Sequence, residues 1–234
     1  MPTALALAVR AACADALALL LPVSCAGCDE PDVALCERCA LTLVPAPRRQ
    51  VVPTDGGGLA VWSGLVFDGV AARVLRAIKQ DGRTGLARAL APALSAALAH
   101  AGCADDVVLV PLPTSRTAYR RRGFRVPELL VRRAGRRAVP LLQHVRRTGD
   151  QRGLDRDERR RNVDGSLAVR RGGVRGLRVL LVDDVVTTGA TLAEAARALR
   201  SAGVDVVGAV TVAATPRRIS RLGERRPDTF ETHR

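Results

Sequence analysis

Val179-Leu180-Leu181-Val182-Asp183-Asp184-Val185-Val186-Thr187-Thr188-Gly189-Ala190-Thr191 is the stretch on which the reading of this chain turns. Four consecutive apolar residues make a strand covered on both faces, as in a parallel sheet. Two acids follow at the strand's end, and a small hydroxyl-rich turn then opens a helix. Thr191 and Glu194 have capping-box spacing, Leu192, Ala195, Ala196 and Leu199 form the apolar stripe, and Gly203 is the stop.

Each part of that segment suits a phosphorylated ribose. Successive backbone N–H groups at a helix start, with the positive end of the helix dipole, bind a phosphate dianion, and Gly189 lets the main chain come close. The hydroxyls of Thr187, Thr188 and Thr191 add donors. Asp183 and Asp184 are acceptors only, which matches sugar hydroxyls, met directly or through a magnesium ion that keeps part of its water shell. The plain alternative is an ordinary strand-turn-helix in which Thr191 merely caps. Against it, two carboxylates at the mouth of a buried strand repel one another and lose solvent, so they need a ligand, a metal or cationic neighbours.

A hydrophobic stretch, Asp-Asp, then Thr-Thr-Gly-Ala-Thr resembles the signature for 5-phosphoribosyl-1-pyrophosphate (PRPP) in type I phosphoribosyltransferases. Upstream, Pro111-Leu112-Pro113 and Arg122-Gly123-Phe124, then Arg147-Thr148, Gln151 and Arg161-Asn162, are similar to elements of the ComF family. The resemblance spans residues 20 to 213 in the family's order, although the family's Arg-Gly-Phe-Asn-Gln reads Arg122-Gly123-Phe124-Arg125-Val126 here. It implies that Asp183 and Asp184 hold the ribose hydroxyls and carry the catalytic assignment. Val185, Thr187, Thr188, Gly189, Ala190 and Thr191 would surround the 5′-phosphate. Pro111, Leu112 and Pro113, with Arg116, Arg122 and Lys79, would complete the PRPP site. The implied activity is Mg-dependent transfer of ribose-5-phosphate to an unidentified nitrogenous acceptor, linked in the family to DNA taken up during natural competence. A non-catalytic PRPP sensor or single-stranded-DNA-handling protein on the same fold is the alternative.

Working outward, Leu59 to Phe67 reads as a strand, and Asp68 can cap a helix with Val70, Val74, Leu75 and Ile78 on one face. A second helix follows from Thr84 to His100, then the buried strand Val107 to Val110, and another apolar run from Val204 to Ala213. This alternation is α/β with a mostly parallel sheet, in which ligands sit outside the carboxyl ends of the strands. The resemblance makes it the Rossmann-like type I phosphoribosyltransferase fold. Arg48 to Gly58 reads as a basic, glycine-rich connector. The expected units are residues 1–47, a helix and cysteine module; 48–215, the phosphoribosyltransferase domain; and 216–234, a basic tail that frays.

Between Arg116 and Arg161 stand sixteen arginines and five acids. Cleavage at C1 of PRPP puts positive charge on the ribose ring and negative charge on departing pyrophosphate, so arginines and magnesium aimed at the latter would do most of the catalysis. By resemblance, Pro111 to Ser115 and a mobile loop from Arg146 to Arg161 would face the pyrophosphate. For any single arginine a solvated helix face is the competing explanation. The same segment can also grip a nucleic-acid backbone, but with only Tyr119 and Phe124 as aromatic residues nearby the contact would be electrostatic at best.

Cys25-x2-Cys28 and Cys36-x2-Cys39 place two thiolate pairs on tight knuckles, a spacing suited to one tetrahedral structural zinc. An iron-sulfur cluster or a vestigial site are the other readings. Cys13 and Cys103 lack partners at ligand spacing and read as ordinary buried cysteines.

The bulk numbers are consistent with these assignments. The chain has 234 residues, 47% of them hydrophobic, and a net charge of +14, which favours phosphate-bearing partners. Every basic residue but Lys79 is arginine, so a codon habit shares the credit for the charge. Ala4 to Leu21 is apolar, but Arg10 and Asp15 interrupt it and no basic leader precedes it, which makes it a packed helix rather than a secretion signal. No membrane span is expected, and the cytoplasm, where thiols stay reduced, is the expected location.

Overall fold

The computed structural model describes residues 23–55, 57–104, 106–145, 164–170 and 173–216. In chain order these form α1 (Glu37–Leu41), β1 (Arg48–Thr54), β2 (Gly57–Val66), α2 (Gly69–Asp81), a 3₁₀ turn (Thr84–Leu86) and α3 (Ala87–His100). Then come β3 (Val108–Pro111), α4 (Arg116–Arg122), α5 (Val126–Arg133), β4 (Leu142–His144), β5 (Leu167–Val169), β6 (Arg178–Val186), α6 (Ala190–Ser201) and β7 (Asp205–Ala214). The main sheet has the order β1-β2-β7-β6-β3, parallel except for β1, while β4 and β5 pair as a separate antiparallel ribbon.

Side chains alternate along a strand, so an inner strand feeds two cores. Along β6, Leu180 and Val182 join Val74, Leu75 and Ile78 of α2, Leu90 and Leu94 of α3, and Leu130 of α5. Val179 and Leu181 turn the other way, to Leu192, Ala195 and Leu199 of α6 with Val52 and Val61. Each fully buried leucine contributes roughly 1.5–3 kcal/mol relative to exposure. α2 runs from Asp68, whose side chain makes no capping bond, to Gly82 at φ +69, where the left-handed conformation ends the helix.

From β3 the chain leaves through α4 and α5, and Ala138 bridges Leu109 on the outer side of β3. From β6 it leaves the opposite way, through α6 on the other face, to β7. The loops after β3 and β6 therefore diverge, which opens a crevice at the carboxyl edge of the sheet.

The stretch expected as a connector, Arg48 to Gly58, is instead β1 and the hairpin to β2, with Arg48 opposite Ser63 and Thr54 opposite Gly57. Val52 is buried under α6, and the glycines serve the turn, where the Thr54 hydroxyl donates to the Gly57 carbonyl at 2.7 Å. The cysteine segment packs on α2. Arg73 donates to the Gly27 carbonyl and the Asp29 carboxylate, Arg83 donates to the Ser24 and Ala34 carbonyls, and Ala26 and Leu43 enter the α2–α3 core. Cys103 is half-buried rather than buried, with Arg136 3.8 Å from its sulfur. The helix expected at Ala4 to Leu21, Cys13, and the tail beyond residue 216 lie outside the described residues. Among the described residues no helix is long and apolar enough to cross a membrane.

Gly64 in β2 meets α3 so closely that a Cβ there would overlap the backbone carbonyl of Ala93. Gly64→Ala should therefore cost about 1–3 kcal/mol, read as a lower urea midpoint with an unchanged slope. An unshifted midpoint would mean that this contact is slack.

Candidate functional site

Pairing of β3 with β6 ends at Pro111 and Val182, and the Leu112 N–H donates to the Val182 carbonyl at 2.9 Å just beyond it. β6 does not end there. It runs on beside β7, with Asp183 opposite Thr211 and Val186 opposite Ala214. The two acids thus lie within the strand, at the point where one neighbour has departed, rather than after its end as the apolar run suggested. Continued pairing with β7 keeps this stretch of backbone regular.

The departure of β3 leaves a cleft of ≈ 220 Å³. Seven residues singled out from the sequence line it: Lys79, Leu112, Pro113, Arg122, Asp183, Asp184 and Thr191. Thr114 and Ser115 of the expected pyrophosphate loop join them, and Ser115 caps α4 by accepting from the Ala118 N–H at 3.2 Å. Ala118, Val126 and Pro127 line it as well and were not anticipated, because small apolar residues carry no chemical signal. His144, also unanticipated, has its Nε2 2.9 Å from the Pro113 carbonyl and ties the β4–β5 ribbon to the cleft loop.

The charges in the cleft are strained. Asp184 is 8% exposed, and Lys79 Nζ donates to its Oδ1 at 2.7 Å. Asp183 Oδ1 accepts the Asp184 N–H at 2.8 Å. Burial first, and the adjacent Asp184 carboxylate second, push the Asp183 carboxyl up to about 7, with Lys79 and that N–H pulling the other way. The Arg122 guanidinium is pressed below its usual value by burial and by Arg121, and its Nε has no partner among the described residues. An unmet buried donor costs about 1–3 kcal/mol, and anionic or hydroxyl oxygens would satisfy it.

The turn after β6 forms the adjoining rim. Gly189 sits at φ +83 as the N-cap of α6, and a Cβ there would run into Val52. Thr188 Oγ1 accepts the Ala190 N–H at 3.3 Å, and among the described residues the N–H groups of Thr187, Thr188 and Gly189 have no partner. The capping box does not form. Gly189 starts the helix two residues earlier than Thr191 would, and Glu194 turns inward to accept the Leu167 N–H and pair with Arg197. Thr187, Thr188, Gly189 and Ala190 lie outside the cleft lining. So do Pro111, held in β3, Val185, packed on the α2–α3 core, and Arg116, exposed on the first turn of α4. Arg147, Thr148, Gln151, Arg161, Asn162 and the loop from Arg146 to Arg161 lie outside the described residues.

The four cysteines converge. The sulfurs of Cys25, Cys28, Cys36 and Cys39 all lie within 4.8 Å of one another, and those of Cys28 and Cys36 are 3.6 Å apart. A tetrahedron with metal–sulfur bonds of about 2.3 Å has edges of roughly 3.8 Å, so the spacing fits a metal such as zinc. Cys25 Sγ accepts the N–H groups of Gly27 and Cys36 at 3.4 and 3.3 Å, as a thiolate ligand does. Burial opposes ionisation of Cys25, but the backbone N–H groups outweigh it and hold the thiol down to about 6. Cys39 is pushed up to about 12, by burial first and by the neighbouring sulfurs second. Without a cation between them the four thiols cannot all ionise, so the cluster is suited to a metal such as zinc.

Comparison with known proteins agrees with this anatomy. Residues 121–229 match the family model described as Phosphoribosyl transferase domain. The chain is similar to Competence protein F of Haemophilus influenzae, 37% identical over 106 residues, which are 42% of this chain and 46% of that protein. It is also similar to DNA utilization protein YhgH of Salmonella typhimurium, 35% identical over 108 residues, 44% of this chain and 46% of the relative. The matched part thus spans about half the length of these curated relatives. Among solved structures, adenine phosphoribosyltransferase from Leishmania tarentolae aligns loosely, at a TM-score of 0.36 and 15% identity over 74% of this chain and 72% of the other. With the transferase domain model falling on the strand-turn-helix of the cleft, a mostly parallel sheet beneath it and these relatives in sequence, the chain is similar to ComF-type proteins and has the phosphoribosyltransferase fold.

Proposed function

We propose that the β3–β6 cleft binds Mg-PRPP and that the protein transfers its ribose-5-phosphate to a nitrogenous acceptor. The observation that carries this reading is the acid pair, packed beside Lys79 and Arg122 and next to a helix-opening turn with unpartnered N–H groups. Asp183 and Asp184 accept from the ribose 2′- and 3′-hydroxyls, and the turn from Thr187 to Thr191 takes the 5′-phosphate. The loop Pro111 to Ser115 and Arg122 face the pyrophosphate, whose departure leaves positive charge on the ring beside the two carboxylates. A magnesium ion bound with the pyrophosphate would supply screening of its charge beside Arg122. Lys79 holds Asp184 in place and neutralises it until the substrate arrives. The cysteine module holds zinc as a structural ion, a role its closed four-sulfur donor set suits. The names of the relatives, Competence protein F and DNA utilization protein, support a link between this activity and the handling of DNA.

Calorimetric titration tests the ribose assignment. Asp184→Asn should weaken Mg-PRPP binding at least tenfold, the loss of one charge-assisted hydrogen bond, whereas equal affinity in variant and wild type would refute it. Acceptor-dependent release of pyrophosphate would then separate an enzyme from a sensor.

Asp183 makes a prediction about stability. Its folded pKa lies above the ordinary carboxylate value, so between about pH 4 and 7 the folded state holds the extra proton and stability falls as pH rises. Asp183→Asn should leave the ligand-free protein unchanged near pH 4 and stabilise it above pH 7, by on the order of 1 kcal/mol, while losing PRPP. A melting temperature that does not depend on pH in this way would exclude the buried charge.

Metal analysis of the purified protein should find one zinc per chain, lost in Cys39→Ser together with thermal stability. A full-length protein that melts identically with and without a strong chelator would rule out the structural ion.

A further inference from the structure

The loop that brings Pro113, Thr114 and Ser115 to the cleft joins β3 to α4 and is held at both ends and in the middle. At its start the Leu112 N–H donates to the Val182 carbonyl at 2.9 Å, and at its end the Ser115 hydroxyl accepts from the Ala118 N–H at 3.2 Å. Between them the Pro113 carbonyl meets His144 Nε2 at 2.9 Å. A carbonyl only accepts, so Nε2 carries the proton and donates. Among the described residues the N–H groups of Thr114 and Ser115 have no partner.

His144 is itself fixed from the other side. It lies on β4 opposite Leu167 of β5, next to Val145, whose N–H donates to the Ser166 carbonyl at 2.9 Å. Leu142 and Leu167 enter the core beneath α6. The Leu167 N–H donates at 3.0 Å to Glu194, which is 5% exposed and paired with Arg197. The ribbon is thus anchored on α6, the helix that opens at the phosphate turn, and reaches across to the β3 loop through His144.

In a trans peptide the C=O and the N–H point in opposite directions. A Pro113 carbonyl drawn onto His144 therefore turns the Thr114 N–H away from the ribbon. Thr114 lines the cleft and His144 does not, so the pull comes from outside. We infer that His144 is a positioning residue for pyrophosphate: it holds the Pro113 carbonyl out of the cleft and so aims the Thr114 N–H inward, at a phosphate oxygen. On the PRPP reading of the cleft, on which this role rests, His144 touches neither substrate nor magnesium and acts through one peptide unit. Without it that peptide can flip and present a carbonyl oxygen to the anion, replacing a charge-assisted hydrogen bond with repulsion.

Calorimetry on the full chain, with Mg-pyrophosphate and ribose 5-phosphate titrated separately, tests the role. His144→Ala should weaken Mg-pyrophosphate binding about tenfold and leave ribose 5-phosphate within about twofold of wild type. His144→Gln, whose amide keeps a donor, should recover most of the lost affinity. Gln143→Ala, at the exposed neighbour on β4, should change neither. A contact that only supports the fold would lower both affinities together, so parallel losses in His144→Ala would overturn the assignment. So would unchanged pyrophosphate affinity, or a His144→Gln variant as weak as His144→Ala. His144→Phe, which keeps a ring and lacks the donor, is read by the same criteria should the alanine variant not fold. Wild type that binds ribose 5-phosphate but no Mg-pyrophosphate would overturn the positioning role and leave the ribose assignment standing. Wild type that binds neither would overturn the PRPP reading and this role with it.

Discussion

β6 keeps its β7 partner four residues longer than its β3 partner, and the rest of the site depends on that inequality. Up to Val182 the strand is enclosed on both edges. From Asp183 onward one edge is open, yet the backbone is still held extended by β7. A strand so held cannot turn its side chains away to relieve repulsion, so two consecutive acids stay at fixed positions with little water around them. In a loop the same two residues would swing apart and remain solvated.

The cleft consequently accumulates unmet electrostatic demand. Lys79 answers Asp184, while Asp183 is left to share a low-dielectric corner with a neighbour of its own sign. Arg122, a few residues from a run of like charge, has a buried donor with nothing to give it to. Nearby, Gly189 starts α6 in a conformation that only glycine takes easily, pressed on Val52. The buried acids and the unmet donor each cost folding energy, and the ligand proposed above, with hydroxyls between two phosphorylated ends, would relieve both.

Much of this was legible in the sequence, where chemistry and periodicity coincide. The run Val179 to Val182 could hardly be anything but an inner strand, and Asp183, Asp184 and the threonine turn stood out because polar residues rarely follow one without a use. The cysteine spacing gave the metal-type cluster directly. What could not be read depended on partners distant in sequence. β1 looked like a linker because its arginines, and the glycines of the turn that follows it, hid the pairing that a hairpin creates. Thr191 and Glu194 had the right separation for mutual capping, but only the fold reveals that Glu194 is needed one turn further in, to hold Leu167. Val185 has the family's position but packs against the α2–α3 core and stays out of the cleft, a placement that the alternation of the strand does not foretell.

Helix α2 joins two regions that the sequence presents as separate. Val70 and Arg73 in its first turns, and Arg83 just past its far end, hold the cysteine segment, and Lys79 on the same helix reaches Asp184. At 1.5 Å per residue the helix spans about 20 Å, a rigid strut with the four-sulfur cluster at one side and the acid pair at the other. A chain shortened to begin at the transferase domain would thus lose the footing that aims its lone lysine. On the proposed reading, an ion among the four sulfurs and the aim of Lys79 on Asp184 are linked mechanically through this one helix.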